Sequence, residues 1–153
     1  MFKFSGKQPA NLGAKNGKLV APVVNKPNNV SSQADTNERA HYVALLKFAG
    51  DAAEAFQRLV KLVEAQPRAR VVTQGGQYLH AEFGSALMGF VDDVEFLLAP
   101  DQTVIHVRSA ARLGYSDLGV NPKRVESLRA QFEVNVPEQP TQRLEPANTG
   151  GRI

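Results

Sequence analysis

Apolar residues recur with two different periods along this chain, and the switches between them outline its elements. After Asp51, the residues Phe56, Leu59, Val60 and Val63 stand at the three-and-four spacing of one helix face. Asp51 and Glu54 sit in capping-box spacing ahead of that stripe. Pro67 ends it near Gln66, because proline has no N–H to donate and disfavours helical geometry in the residue before it. Residues 41–48 read as a strand before this helix, and four strands follow it. Residues 70–74 and 77–83 flank Gly75-Gly76, a dipeptide expected to supply the positive φ angles of a tight hairpin. Residues 90–98 and 103–109 flank a Pro100-Asp101 turn. A last helix is expected with Asn121 as N-cap and Pro122 at its first position, burying Val125, Leu128 and Phe132.

The order β-α-β-β-β-β-α predicts an α+β fold, a two-layer sandwich of a mainly antiparallel sheet with helices on one face. If Leu98 pairs with Thr103, then Phe96 meets Ile105 and Val94 meets Val107 on the helix-covered face. Asp93 then meets Arg108 and Glu95 meets His106 on the other, while the tighter hairpin sets Val71 opposite His80 and Thr73 opposite Tyr78. The second face thus gathers Tyr78, His80, Glu82, Asp93, Glu95, His106 and Arg108. A slip of one residue would exchange the two faces.

The flanks differ from this core. Residues 1–40 read as an extended basic arm without regular structure, rich in Gly, Pro, Asn, Ser and Lys, with the apolar stretch 19–24 as an anchor. Residues 136–153 read as a flexible Pro/Gly-rich tail, which leaves 41–135 as the folded domain. Charge follows the same division. The net charge is +3, yet residues 1–40 hold six basic and two acidic groups, whereas 41–135 hold ten basic and eleven acidic. The excess therefore lies in the arm, whose only aromatics are Phe2 and Phe4 and which has no clustered Arg; this argues against nucleic acid as the partner.

The 153 residues contain no Cys and three His, which excludes thiol catalysis, thiolate metal sites and disulfides. No apolar run approaches the about 20 residues of a membrane span, and Met1 to Gly13 has no apolar h-region. The expectation is a cytoplasmic protein.

Two stretches carry a family resemblance. Residues 89–96 (Gly-Phe-Val-Asp-Asp-Val-Glu-Phe) and 107–121, from Val107-Arg108-Ser109 to Leu118-Gly119-Val120-Asn121, resemble the bacterial and plastid family known as domain of unknown function 1499. Phe4-Ser5-Gly6-Lys7, Asn11-Leu12-Gly13 and residues 27–33 resemble that family's opening, so the likeness runs from about residue 4 to residue 133. The family's biochemical role is not established, and the resemblance implies no activity. Its members often have Cys where this chain has Val23 and Asn29, so any function of such a pair is in doubt here.

Candidate chemistry concentrates in three places. Arg108, Ser109, Arg112, Tyr115, Ser116 and Asp117 crowd a strand end and a Gly-containing loop, where two Arg and exposed amides suit a carboxylate or phosphate. The plainer alternative is a structural loop in which Arg112 pairs with Asp92 or Asp117. Asp92 shares a strand face with Phe90, Val94 and Phe96, so its carboxylate must find a partner or a proton; the plainer reading has it at the strand start capping the loop 84–89, with Arg112, Ser109 or loop amides as the expected partners, and a general base is the functional alternative. His80, Glu82, Glu95 and His106 are candidates for a two-His, two-carboxylate metal site, against exposed cross-strand ion pairs.

No nucleophile elbow, phosphate loop, zinc helix or dinucleotide fingerprint is present, and no cofactor is expected. The leading reading is a non-enzymatic accessory or binding module contacting a partner protein or small anionic ligand through the 108–121 loop or the polar sheet face. Two alternatives stand beside it: a small enzyme with Asp92 as base and Arg108 and Arg112 as clamp, and a structural subunit of a larger complex.

Overall fold

The computed structural model of the chain describes residues 6–85, 90–114 and 116–134, so Tyr115 and the expected tail lie outside the described residues. Helix α1 (Ala52–Glu64) forms where the apolar stripe predicts it. The Asp51 carboxylate accepts the Glu54 N–H at 2.9 Å, and the helix closes at Ala65, two residues before Pro67. Phe56, Leu59, Val60 and Val63 are all buried.

Four antiparallel strands carry the fold: β5 (Ala69–Gln74), β6 (Tyr78–Gly84), β7 (Val91–Ala99) and β8 (Val104–Ala111). With β3 (Asn29–Ser31) they make a sheet of order β3–β8–β7–β6–β5, and β4 (Leu46–Lys47) shares the outer edge of β8. Helix α2 (Val120–Val134) buries Val125, Leu128 and Phe132. One apolar core joins both helices to Leu79, Val94, Phe96, Leu98, Ile105 and Val107. Fully buried Phe56, Phe96 and Phe132 anchor it, each contributing about 1.5–3 kcal/mol of apolar burial. Among the described residues no helix is long and apolar enough to cross a membrane.

Several expectations are corrected. Only Leu46–Lys47 of the 41–48 run pairs as a strand, opposite Ile105 and Val104, because β3 already occupies β8 along Arg108 to Ala110. The β7–β8 pairing is displaced by two residues from the expected one: Leu98 faces Ile105, Phe96 faces Val107 and Glu95 faces Arg108. The turn takes up the difference. A 3-10 turn over Pro100–Gln102 is followed by Thr103 at φ 52°, so Ala99 and Val104 close the ladder. An even displacement keeps every side chain on its face, so the partition into apolar and polar faces survives.

Neither Gly75 nor Gly76 takes a positive φ. Gly75 donates to the Tyr78 carbonyl instead, which moves the loop to Gly76-Gln77. An irregularity between Val71 and Thr73 then sets Val71 opposite Ala81 and Thr73 opposite His80. Helix α2 starts at Val120, with Asn121 inside its first turn. The Asp117 carboxylate does the capping, accepting the N–H groups of Gly119 and Asn121.

The arm is not irregular either. Strands β1 (Ala14–Lys15) and β2 (Lys18–Leu19) form a hairpin around Asn16-Gly17, whose φ values of 55° and 76° are the pair that a type I′ turn needs. Leu19 and β3 tie the arm to the domain.

Candidate functional site

Strand alternation places Tyr78, His80 and Glu82 of β6, Asp93 and Glu95 of β7, and His106 and Arg108 of β8 on the sheet face away from the helices. The expected exposed ion pairs are instead buried: Glu95 is 0%, Asp93 1% and His80 2% exposed. The arm is the cover. The Gly13 N–H donates to Glu95 Oε2 at 2.7 Å, and Pro9, Asn11 and Lys26 line a cleft with Asp93 and Arg108.

Burying carboxylates is tolerable only when each is paired and hydrogen-bonded. Arg112, at the strand end, donates from Nε to Asp93 Oδ2 at 2.8 Å and from Nη2 to Glu82 Oε2 at 2.7 Å and Asp93 Oδ1 at 2.8 Å. Its expected pairing with Asp92 or Asp117 is therefore wrong. Residue parity decides this: Asp93 shares the polar face and Asp92 does not. Glu82 also accepts from Arg70 at 2.8 Å, and His80 Nε2 lies 2.7 Å from Asp93 Oδ1. Burial pushes the Glu82 and Asp93 carboxyls up, but Arg112, with Arg70 and His80 respectively, more than offsets this and holds both below the usual carboxylate range. The Asp93 hydrogen bond raises Arg112 in turn. Tyr78 donates a hydrogen bond to Glu95 Oε2, and burial followed by that bond pushes the Tyr78 hydroxyl up.

The four metal candidates do not converge. Glu82 is engaged by Arg70 and Arg112, Glu95 by Gly13, Tyr78 and Arg108, and His80 by Asp93, while His106 Nδ1 lies 3.2 Å from Ser32 Oγ. Among the described residues no group of three or more His, Asp or Glu is placed to hold a metal ion.

Asp92 points to the helix side. It pairs with Arg124 of α2, at 2.7 Å, rather than with Arg112 or Ser109, while residues 86–89, whose amides are among its expected partners, lie outside the described residues. Burial raises its carboxyl, and Arg124 only partly opposes this. Arg124 also donates to Asn121 Oδ1 at 2.7 Å, and fully buried Asn121 accepts from Ser109 and donates to the Asn28 carbonyl and to Asp117. The 108–121 cluster is thus divided. Arg108 and Arg112 serve the polar face, Ser109 and Asp117 hold the start of α2, and the Ser116 hydroxyl accepts the Leu118 N–H. Among the described residues, Asp92 faces the helices, whereas Arg108 and Arg112 line a cleft on the polar face.

That cleft, of about 210 Å³, lies between arm and sheet and is lined by Asn11, Lys26, Asn28, Asp93, Arg108 and Arg112 among others. Arg108 is the side chain left incomplete there: Nη1 reaches Glu95 Oε1 at 3.3 Å, and its buried Nε has no hydrogen-bond partner. Asn11, Lys26 and Asn28 were not read as site residues. The Asn16-Gly17 turn was the available signal that this stretch folds back.

The family described as Protein of unknown function (DUF1499) matches residues 19–132 of the 153. The chain belongs to the DUF1499 family. No curated protein matches it. The DUF1499 match spans β2 to most of α2, and so includes Lys26, Asn28 and every polar-face residue named above. At the two positions where the resemblance implies frequent Cys, this DUF1499 chain joins Val23 and Asn29 by hydrogen bonds. Asn29 Oδ1 accepts the Val23 N–H at 2.8 Å, and its Nδ2 donates to the Val23 carbonyl at 3.0 Å.

Proposed function

We propose that this chain is a non-enzymatic, cytoplasmic binding module that takes a small anionic ligand, a carboxylate or phosphate, in the cleft between its arm and its polar sheet face. Arg108 carries the reading. Its side chain is 8% exposed, it lines the cleft, and its Nε–H is buried without a partner. A buried donor left unmade costs about 1–3 kcal/mol, more on a charged group, so an oxyanion that accepts it gains that much over water outside.

Arg112 Nε and Nη2 are held by Asp93 and Glu82, so the clamp is led by Arg108 with exposed Lys26 at the rim, rather than by two equivalent arginines. The three buried carboxylates Glu82, Asp93 and Glu95 are matched in number by Arg70, Arg108 and Arg112, which leaves Lys26 to balance the incoming charge. The cleft volume of about 210 Å³ is below the about 300–1,000 Å³ typical of sites for drug-sized ligands, and suits a ligand of few atoms. Asp92, on the opposite face against Arg124, gives this cleft no general base.

The test is titration of the full chain with inorganic phosphate and, separately, acetate, following arginine Nε–H resonances by NMR. The Arg108 signal, assigned by its loss in Arg108→Lys, shifts saturably with one of the two anions. A linear, unsaturable drift with both, or an unchanged binding curve in a folded Arg108→Lys variant, overturns the proposal.

A further inference from the structure

Four of the seven large apolar side chains exposed among the described residues lie at one end of the sheet, the others being Val23, Val24 and Val134. Phe90 precedes β7, Leu113 follows β8, and Leu118 and Val120 lead into α2; because β7 and β8 are antiparallel, these chain segments meet at the same end. Their exposures are 40%, 47%, 88% and 46%. The backbone holds Leu118 there at a cost. Its φ is 55°, a region that leucine avoids, and the conformation is fixed by Ser116 Oγ accepting the Leu118 N–H and Asp117 Oδ1 accepting the Gly119 N–H.

The surrounding charge selects the partner. In the described residues around these side chains, 6–7, 90–92, 112–114 and 116–123, the exposed charged residues are Lys7 and Lys123, both cationic. Lys7 is brought there by Gly6, which lies so close to Leu113 that a Cβ would come within 2.9 Å of its Cγ. Asp117 is adjacent, but both of its oxygens are occupied by the start of α2. Asp92 is paired with Arg124 on the helix side.

We infer that this end is a docking surface for an anionic lipid bilayer, with Leu118 and Leu113 entering the interface and Lys7 and Lys123 lying at the headgroups. Apolar side chains beside lysines combine the two attractions that hold peripheral proteins on such surfaces. The inference is independent of the anion cleft, since it uses none of its lining residues.

The experiment is co-sedimentation of the full chain with vesicles of phosphatidylcholine alone and of phosphatidylcholine with phosphatidylserine. Leu118→Gly is the informative variant, because it removes the apolar group and also relieves the positive φ. Its melting temperature is no lower than that of the parent, while its partition onto phosphatidylserine vesicles falls by about tenfold or more. Lys123→Gln weakens binding to the same vesicles and makes it less sensitive to salt. Failure of the parent to sediment with phosphatidylserine vesicles overturns the inference, leaving a protein partner as the occupant. Binding unchanged in Leu118→Gly also overturns it, assigning the attachment to other parts of the chain.

Discussion

Replacing Arg112 by alanine is the sharpest test of how the polar face is held together. The Arg112 side chain is 5% exposed and makes three hydrogen bonds, two to Asp93 and one to Glu82. Removing it leaves the two carboxylates unequally placed. Glu82 keeps Arg70, whereas Asp93, 1% exposed, keeps His80 alone among the described residues. The loss is therefore set by stranding Asp93, and breaking a buried pair in this way costs about 3–5 kcal/mol. Against a total stability of about 5–15 kcal/mol that is a large fraction, equivalent to a fall in Tm of roughly 10 °C or more for a chain of this size.

The dependence on pH separates this cause from lost packing. In the parent, Asp93 lies below its ordinary value, so its contribution is present above about pH 4 and is lost as pH falls through the lower folded value. Without Arg112 the burial of Asp93 is no longer offset, and its carboxyl rises above the unfolded value. Proton uptake then restores stability to the variant as pH falls, so the gap between parent and Arg112→Ala narrows from pH 7 to pH 4.5. Urea unfolding followed by far-UV circular dichroism at both pH values measures it. A loss below about 1 kcal/mol, or a gap equal at the two pH values, would refute the account of Asp93 as a carboxylate held by Arg112.

Two further outcomes follow from the same geometry. Asn121→Ala leaves Asp117, Ser109 and the Asn28 carbonyl without their shared partner at the start of α2, and is expected to cost about 2–4 kcal/mol in urea unfolding, against near-parent stability if that hub is solvated. Burial lowers His106, so the neutral ring is favoured in the fold and stability declines as pH drops below about 6.5 towards the folded value. His106→Gln flattens that slope in a Tm–pH profile, and an unchanged slope would assign it to another group.

Much of the site is legible in the sequence. Alternation along residues 77–83, 90–98 and 103–109 places Tyr78, His80, Glu82, Asp93, Glu95, His106 and Arg108 together, and the observed sheet keeps them on one face although the β7–β8 pairing differs by two residues. What alternation does not carry is what lies above that face. The cover depends on the Gly13 N–H meeting Glu95, 82 residues away, and on an Asn16-Gly17 turn inside a segment whose composition suggests a loose arm. The partner of Arg112 was missed for a related reason: Asp92 and Asp93 are neighbours in sequence but point to opposite sides of the sheet, and only the placement of the strand end decides between them.

The sequence by itself determined the helix behind Asp51, the four strands between the two helices, the apolar residues those elements give the core and the partition of two sheet faces. Each of these follows from local backbone chemistry or a short period, and so needs no knowledge of distant neighbours. Tertiary structure alone decided that the polar face is buried, which carboxylate each guanidinium meets, and that Arg108 is left with an unmade hydrogen bond beside a cleft. Those depend on where the arm and α2 come to rest, because the energy of a buried ionic group is set by every charge and dipole around it rather than by its place in the chain.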